Sequence, residues 1–333
     1  IQNKGVEIAL NTIPFKNKDW EWGLDFTWTK NISKIIELHP DAAEYIELAG
    51  QVNNYDYRVG SVAKVGGSYG LLMTDILPAR DKQGRILLNY SDTRRAVYQK
   101  RSGVVEELGS MQPDFLGSMS TRLSWKNLTL SVGLDMRIGG LVAMYSNRYG
   151  SNAGWTGTSL AYRDKEHGGL EWTSKFPGGS NGITYEDGVI LDGVFAPGTM
   201  ATGIDGQIHD ISGMTHQEAI DKNIIEPTHA GAYHVFRNSW GEGVVNDDWV
   251  HELSYIALRD ISLSYRLPNN IASKVGASGI NLSLSARNVG YIYNSLPNNV
   301  HPESVRGNRS AEFRIRGYEP YIRNYSFTIS AEF

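Results

Sequence analysis

The stretch 321–333, Tyr-Ile-Arg-Asn-Tyr-Ser-Phe-Thr-Ile-Ser-Ala-Glu-Phe, constrains the fold more than any other. Tyr321, Tyr325, Phe327, Ile329, Ala331 and Phe333 fall on odd positions, and only Arg323 interrupts them. Asn324, Ser326, Thr328, Ser330 and Glu332 fall on the even ones. Side chains alternate across a strand, so this segment has one greasy face and one wet face. It is longer than the usual soluble strand of about 5–6 residues. It matches the roughly 9–11 tilted residues that cross a bilayer. Two settings suit it: the edge of a soluble β-sandwich, or the wall of a membrane barrel.

The same period recurs along the chain. Val6, Ile8 and Leu10 alternate with Glu7, Ala9 and Asn11, and 14–18 reads as a turn. Trp20, Trp22, Leu24, Phe26 and Trp28 then alternate with Glu21, Gly23, Asp25, Thr27 and Thr29. This face carries Trp at both ends and an aliphatic residue between, the order an interface–hydrocarbon–interface crossing needs. A soluble sheet would need a wide core to bury it. Phe115, Met119, Leu123 and Trp125 lead through Lys126-Asn127 into Leu128, Leu130, Val132, Leu134, Met136 and Ile138, a tight hairpin. Its polar face holds Arg122, Asp135 and Arg137, which a lumen tolerates and a dry core does not. Leu253, Tyr255, Ala257, Ile261, Leu263 and Tyr265 form another row, with Ile256, Leu258 and Arg259 out of phase, as beyond a membrane or near a bulge. Ile280, Leu282, Leu284 and Ala286 complete seven crossings.

The connections alternate between short (14–18, 126–127, 268–278) and long or moderate (33–113, 139–251, 289–320). Outer-membrane barrels have short periplasmic turns and long extracellular loops. On this reading Phe333 faces the periplasm. Within the first long segment 41–48 reads as a short helix and 81–84 as a turn. In the second, Thr215-His216-Gln217-Glu218 is a capping box that opens a helix to about residue 223.

The chain starts at Ile1 without an initiator Met, so a processed product or a fragment is expected. No apolar run reaches 18 residues, which excludes a transmembrane helix but not a barrel. Net charge is −4 and no basic run occurs, so nothing points to nucleic acid. Cysteine is absent, which removes disulfides, Cys-based metal sites and Cys nucleophiles. No Gly-x-Ser-x-Gly, Walker-type or His-Glu-x-x-His motif appears, so neither an enzyme nor a cofactor is expected.

Several stretches resemble one family in the expected order. They are Asn3-Lys4-Gly5-Val6-Glu7-Ile8, Gln112-Pro113-Asp114-Phe115, Gly139-Gly140, the segment 254–268, Ala286-Arg287-Asn288, His301-Pro302-Glu303 and the terminal Phe333. Together they resemble the SusC/RagA-type TonB-dependent outer-membrane transporters of Bacteroidetes, over nearly the whole chain but only the C-terminal part of the family's barrel. Ala257 departs from the pattern, where Arg is common. The resemblance implies an all-β fold: the C-terminal portion of a large antiparallel transmembrane β-barrel of the 22-stranded plugged class. It implies the loops 33–113, 139–251 and 289–320 as extracellular, with plug and earlier strands outside 1–333. It further implies a SusD-like surface lipoprotein as partner, action of the TonB complex through the absent N-terminal part, outer-membrane lipid around the wall, and import of oligosaccharides or, alternatively, oligopeptides. A soluble or surface β-rich glycan-binding protein is the reading of a different class.

Aromatic faces stack on sugar rings, so Trp155, Tyr162, Trp172, Trp240 and Trp249 in the longest loop are the candidate ligand contacts. The alternative is that they pack the loop on itself or on the partner. Asp187 and Asp192 could offer oxygens to Ca²⁺, but turn formation at Asp-Gly is the simpler role. His229 and His234 are spaced too loosely for a metal motif, and no metal site is expected.

Overall fold

The computed structural model describes residues 1–52, 58–238, 243, 245–246, 248–305, 309–317 and 320–333. Seven long strands form one antiparallel sheet. They are β1 (Gln2–Lys16), β2 (Trp20–Lys34), β3 (Phe115–Trp125), β4 (Leu128–Ile138), β5 (Tyr255–Arg266), β6 (Gly279–Asn294) and β7 (Asn324–Glu332). Each pairs with its neighbour in chain order, and β1 and β7 are the two edges. Among the described residues no helix is long and apolar enough to cross a membrane.

The register lines up the apolar alternation of every strand. One row across the sheet reads Phe327, Leu284, Leu263, Leu130, Leu123, Trp22 and Phe15. Two residues toward the short turns lie Ile329, Leu282, Tyr265, Leu128, Trp125 and Trp20, with the Trp20 and Trp125 rings 5.8 Å apart. At the other end Trp28 lies 6.0 Å from Phe115. Among the described residues nothing covers this face: Phe327 is 61% exposed and Tyr325 73%. A water-facing apolar patch of this extent is unusual in a soluble monomer.

Three sequence expectations are corrected. The strand β1 does not stop at Pro14; it continues to Lys16 through a register shift between Thr12 and Phe15. Pro14 lies on the edge strand within that irregularity, where its missing N–H costs no ladder bond. The turn is instead at Asn17, whose Oδ1 accepts from the Asp19 and Trp20 amides at 2.9 and 2.8 Å. The helix expected over 41–48 is absent, and Tyr45–Gly50 pairs as a strand with Val59–Lys64. Eight residues are too few to repay helix nucleation when a strand partner is at hand. The third correction is the face taken by Tyr255 to Leu258, and its cause is a bulge, one of the two settings the sequence allowed for the out-of-phase residues. Arg259 is an extra residue between the pairs Gly133–Asp260 and Leu134–Leu258. This bulge shifts the alternation by one, so Ile256 and Leu258 join the apolar face beside Met136 and Leu134.

The three long connections are one folded body. Strand Leu141–Met144 lies between Val250–Glu252 and Arg314–Ile315, joining the second and third connections. Strand Val194–Phe195 runs parallel to Leu87–Ser91, joining the second to the first. Their cores are shared as well. Leu88, Tyr90 and Val97 pack with Phe195, Ile211 and Ile225. Ala49, Val59 and Leu72 of the first connection pack with Ala143 and Tyr145 of the second and Phe313 of the third. The capping box at Thr215 forms, with reciprocal Thr215–Glu218 bonds opening the helix His216–Asp221. Within this body His216 is fully buried; its Nδ1 accepts from the Leu191 amide at 3.1 Å, and Nε2 lies 3.3 Å from the Glu226 carbonyl. Burial holds its pKa down to about 4, against the pull of that carbonyl.

Candidate functional site

The face opposite the apolar rows is polar and hydrogen-bonded to itself. One row reads Asn324, Arg287, Asp260, Gly133, Ser120, Asp25 and Asn11. Hydroxyl pairs cross the strands at Ser285–Ser326 (2.7 Å), Ser264–Ser283 (3.0 Å), Ser124–Thr129 (3.0 Å) and Thr27–Ser118 (2.7 Å). Such pairs satisfy neighbouring strands while leaving a surface that water and polar solutes wet. Gly133 allows Asp260 its place: a Cβ there would meet the Asp260 carboxylate at 2.4 Å. A recess of this face is bordered by Glu21, Asp25, Ser120, Arg122 and Ser131.

At the end near the long connections this face meets the folded body. Ala257 is completely buried there. The β5 bulge directs Arg259 into a bonded cluster. Its Nε donates to Asp135 at 2.6 Å, and its Nη1 and Nη2 donate to Glu303 at 2.8 and 2.6 Å. Tyr291 donates its hydroxyl to the same carboxylate at 2.7 Å. The Glu303 amide donates to His301 Nδ1 at 3.1 Å, and the His301 ring packs on Tyr321 at 4.9 Å. A bidentate guanidinium–carboxylate pair has a fixed geometry. The cluster thereby clamps the third connection to the wall. Burial alone would raise the Glu303 pKa, but the bonds from Arg259 and Tyr291 outweigh it and hold the group below its ordinary value.

The aromatic candidates do not converge on one site. Trp155 is 85% exposed, just beyond the helix Tyr145–Asn152. Tyr162 packs edge-on against Tyr233 at 5.3 Å and borders the core. Trp172 stacks on Tyr185 at 5.2 Å and meets the His229 ring at 4.9 Å. Trp249 is 7% exposed, with its indole N–H directed at the Arg237 carbonyl at 3.4 Å. Trp240 lies outside the described residues. His229 bonds Asp187 at 3.1 Å, whereas His234 bonds the Ala161 carbonyl at 2.8 Å. Among the described residues no group of three or more His, Cys, Asp or Glu could hold a metal ion. The sequence underweighted Arg259, whose signal was a charge out of phase in an otherwise regular strand. Glu303 appeared only as part of a motif, because its partner is 44 residues away in sequence.

No protein-family model matches the chain, and no curated protein matches it. Solved structures do match. The chain is similar to the RagAB peptide transporter, with a TM-score of 0.54 and 14% identity, over 99% of this chain and 29% of that one. It is also similar to the RagAB peptide importer in its closed-closed state (TM-score 0.55, 15% identity, 99% and 29%) and its open-open state (0.50, 15%, 99% and 28%). The chain thus spans under a third of the length of these relatives in structure. At such identities the likeness concerns the fold: an all-β architecture, built on the wall of a large antiparallel β-barrel.

Proposed function

We propose that this chain is the C-terminal part of an outer-membrane, TonB-dependent importer of the SusC/RagA type. The observation that carries the proposal is the uncovered apolar face, edged by aromatic residues at both ends, behind a polar face that the long connections roof. From Trp20 to Trp28 is about 27 Å along the strand at ~3.4 Å per residue. At a tilt of about 35–45° this spans roughly 20 Å of height, close to the apolar band of a membrane barrel, ~25 Å tall. A sheet immersed in lipid cannot keep open edges. Strands of the same protein beyond β1 and β7 then close the barrel, in an even total of about 22 around a plug.

On this reading the connections face outward, a SusD-like lipoprotein seats over them, and TonB acts through the plug. The substrates are oligomers. The likeness to a peptide importer supports oligopeptides. The exposed Trp155, with a ring free to stack, supports oligosaccharides and the lipoprotein contact equally. Trp172, Tyr162 and Trp249 serve the loop body in this reading. The test is extraction of the native protein from outer membranes in mild detergent. Co-purification with further barrel strands, a plug and a surface lipoprotein, and with bound oligomer, is expected. A chain soluble and monomeric without detergent would overturn the reading in favour of a soluble glycan-binding protein.

A further inference from the structure

Where the wall meets the folded body there is a small cavity of about 240 Å³. Part of its wall is apolar, with Leu141, Leu253, Val305 and Phe313 among the lining residues. Three charged side chains reach it, Arg137, Glu303 and Glu312. Glu303 is bound by Arg259, and Glu312 by Arg314 at 2.5 Å. Arg137 has no such partner among the described residues. Its Nη2 donates to the Met111 carbonyl at 2.9 Å, and its Nε is buried without a hydrogen bond among the described residues. Gly140 permits this position, since a Cβ there would meet Arg137 Nη2 at 2.9 Å and its φ is +86°. A guanidinium that lines a cavity without an ion-pair partner favours an anion, and a carboxylate is the group whose geometry fits the fork.

We propose that this cavity takes one apolar residue that carries a free carboxylate, as at the C-terminus of a peptide. The carboxylate accepts from Arg137, and the side chain lies against Leu141, Leu253 and Phe313. The volume is below the roughly 300–1,000 Å³ that holds a whole drug-sized ligand. It exceeds the ~150 Å³ that takes a benzene ring. It is therefore sized for one end of a longer molecule. Placing that end on an imported oligopeptide rests on the transport reading; the binding itself does not.

The experiment uses the full-length protein that carries this chain, folded in detergent, with N-acetyl-leucine and N-acetyl-leucine amide as probes in calorimetric titrations up to tens of millimolar. The acid binds about 10- to 100-fold more tightly than the amide, the range expected for a charge-assisted bond. Arg137→Met removes that difference, and Arg137→Lys keeps part of it. Equal binding of the two probes, binding of neither, or a preference that survives Arg137→Met overturns the proposal. The acid–amide comparison on the unaltered protein stands even where a variant does not fold. Uptake of labelled peptides by cells is measured in parallel. Uptake without the carboxylate preference refutes the cavity and leaves the importer; the preference without uptake of any oligomer does the reverse.

Discussion

Replacing Arg259 with Met should release the third connection from the wall. Arg259 makes three charge-assisted bonds, one to Asp135 and two to Glu303, with its side chain 25% exposed. Removing one partner of a fully buried ion pair costs about 3–5 kcal/mol. Exposed pairs are worth about 0–1 kcal/mol. With Glu303 32% and Asp135 46% exposed, and Tyr291 still donating to Glu303, about 1.5–2.5 kcal/mol is reasonable. The loss is local, since the strands around it keep their ladders. Opening of 301–305 should then rise about 10- to 60-fold at ~1.4 kcal/mol per factor of ten. Hydrogen exchange of the Glu303 and Ser304 amides, bonded to His301 Nδ1 and O at 3.1 Å, reports it directly. Glu303→Gln should cost less, about 1 kcal/mol, because Arg259 keeps Asp135 and Tyr291 keeps an acceptor. The sign with pH follows from the lowered Glu303 pKa. The clamp is at full strength above the ordinary value of 4.5 and weakens as pH falls through the lowered one. Unchanged exchange at 301–305 in Arg259→Met, or an equal rise over the whole protein, would refute this account of the bulge.

Three further outcomes are expected. Because His216 is held neutral with its pKa down from 6.5 to about 4, protonation favours the opened loop body, and stability falls between those pH values by up to about 3 kcal/mol. His216→Gln should flatten that slope in loop-body exchange measured from pH 7 to 4, and an unchanged slope would assign it elsewhere. Phe327→Arg should cost about 2–4 kcal/mol of folding in lipid vesicles, whereas Ser326→Arg on the opposite face should cost far less; heat-modifiable gel migration separates them, and equal effects would deny the two-faced wall. Phe313 is 1% exposed where all three connections meet, so Phe313→Ala should cost about 3–5 kcal/mol and open them together to limited proteolysis. Cleavage confined to one connection would contradict a shared core.

The seven wall strands were legible in the sequence because their signal is local. Alternation with a period of two follows from strand geometry alone, so Trp20 to Trp28 or Tyr325 to Phe333 assign their own faces before any partner is known. The tight turn at Lys126-Asn127 and the capping box at Thr215 are equally local. What the sequence could not show are features set by distant partners. The out-of-phase Ile256, Leu258 and Arg259 allowed either a bulge or a membrane boundary, and only Asp135 and Glu303, which hold that guanidinium inward, decide for the bulge. Tyr45–Gly50 became a strand because Val59–Lys64 lay ready to pair. Five loop aromatics were equal as candidates in sequence, yet burial leaves Trp155 in water and places Trp249 in the interior. Local stereochemistry settled the wall, and only long-range packing decided the body that roofs it, since a buried contact has no period from which to read it.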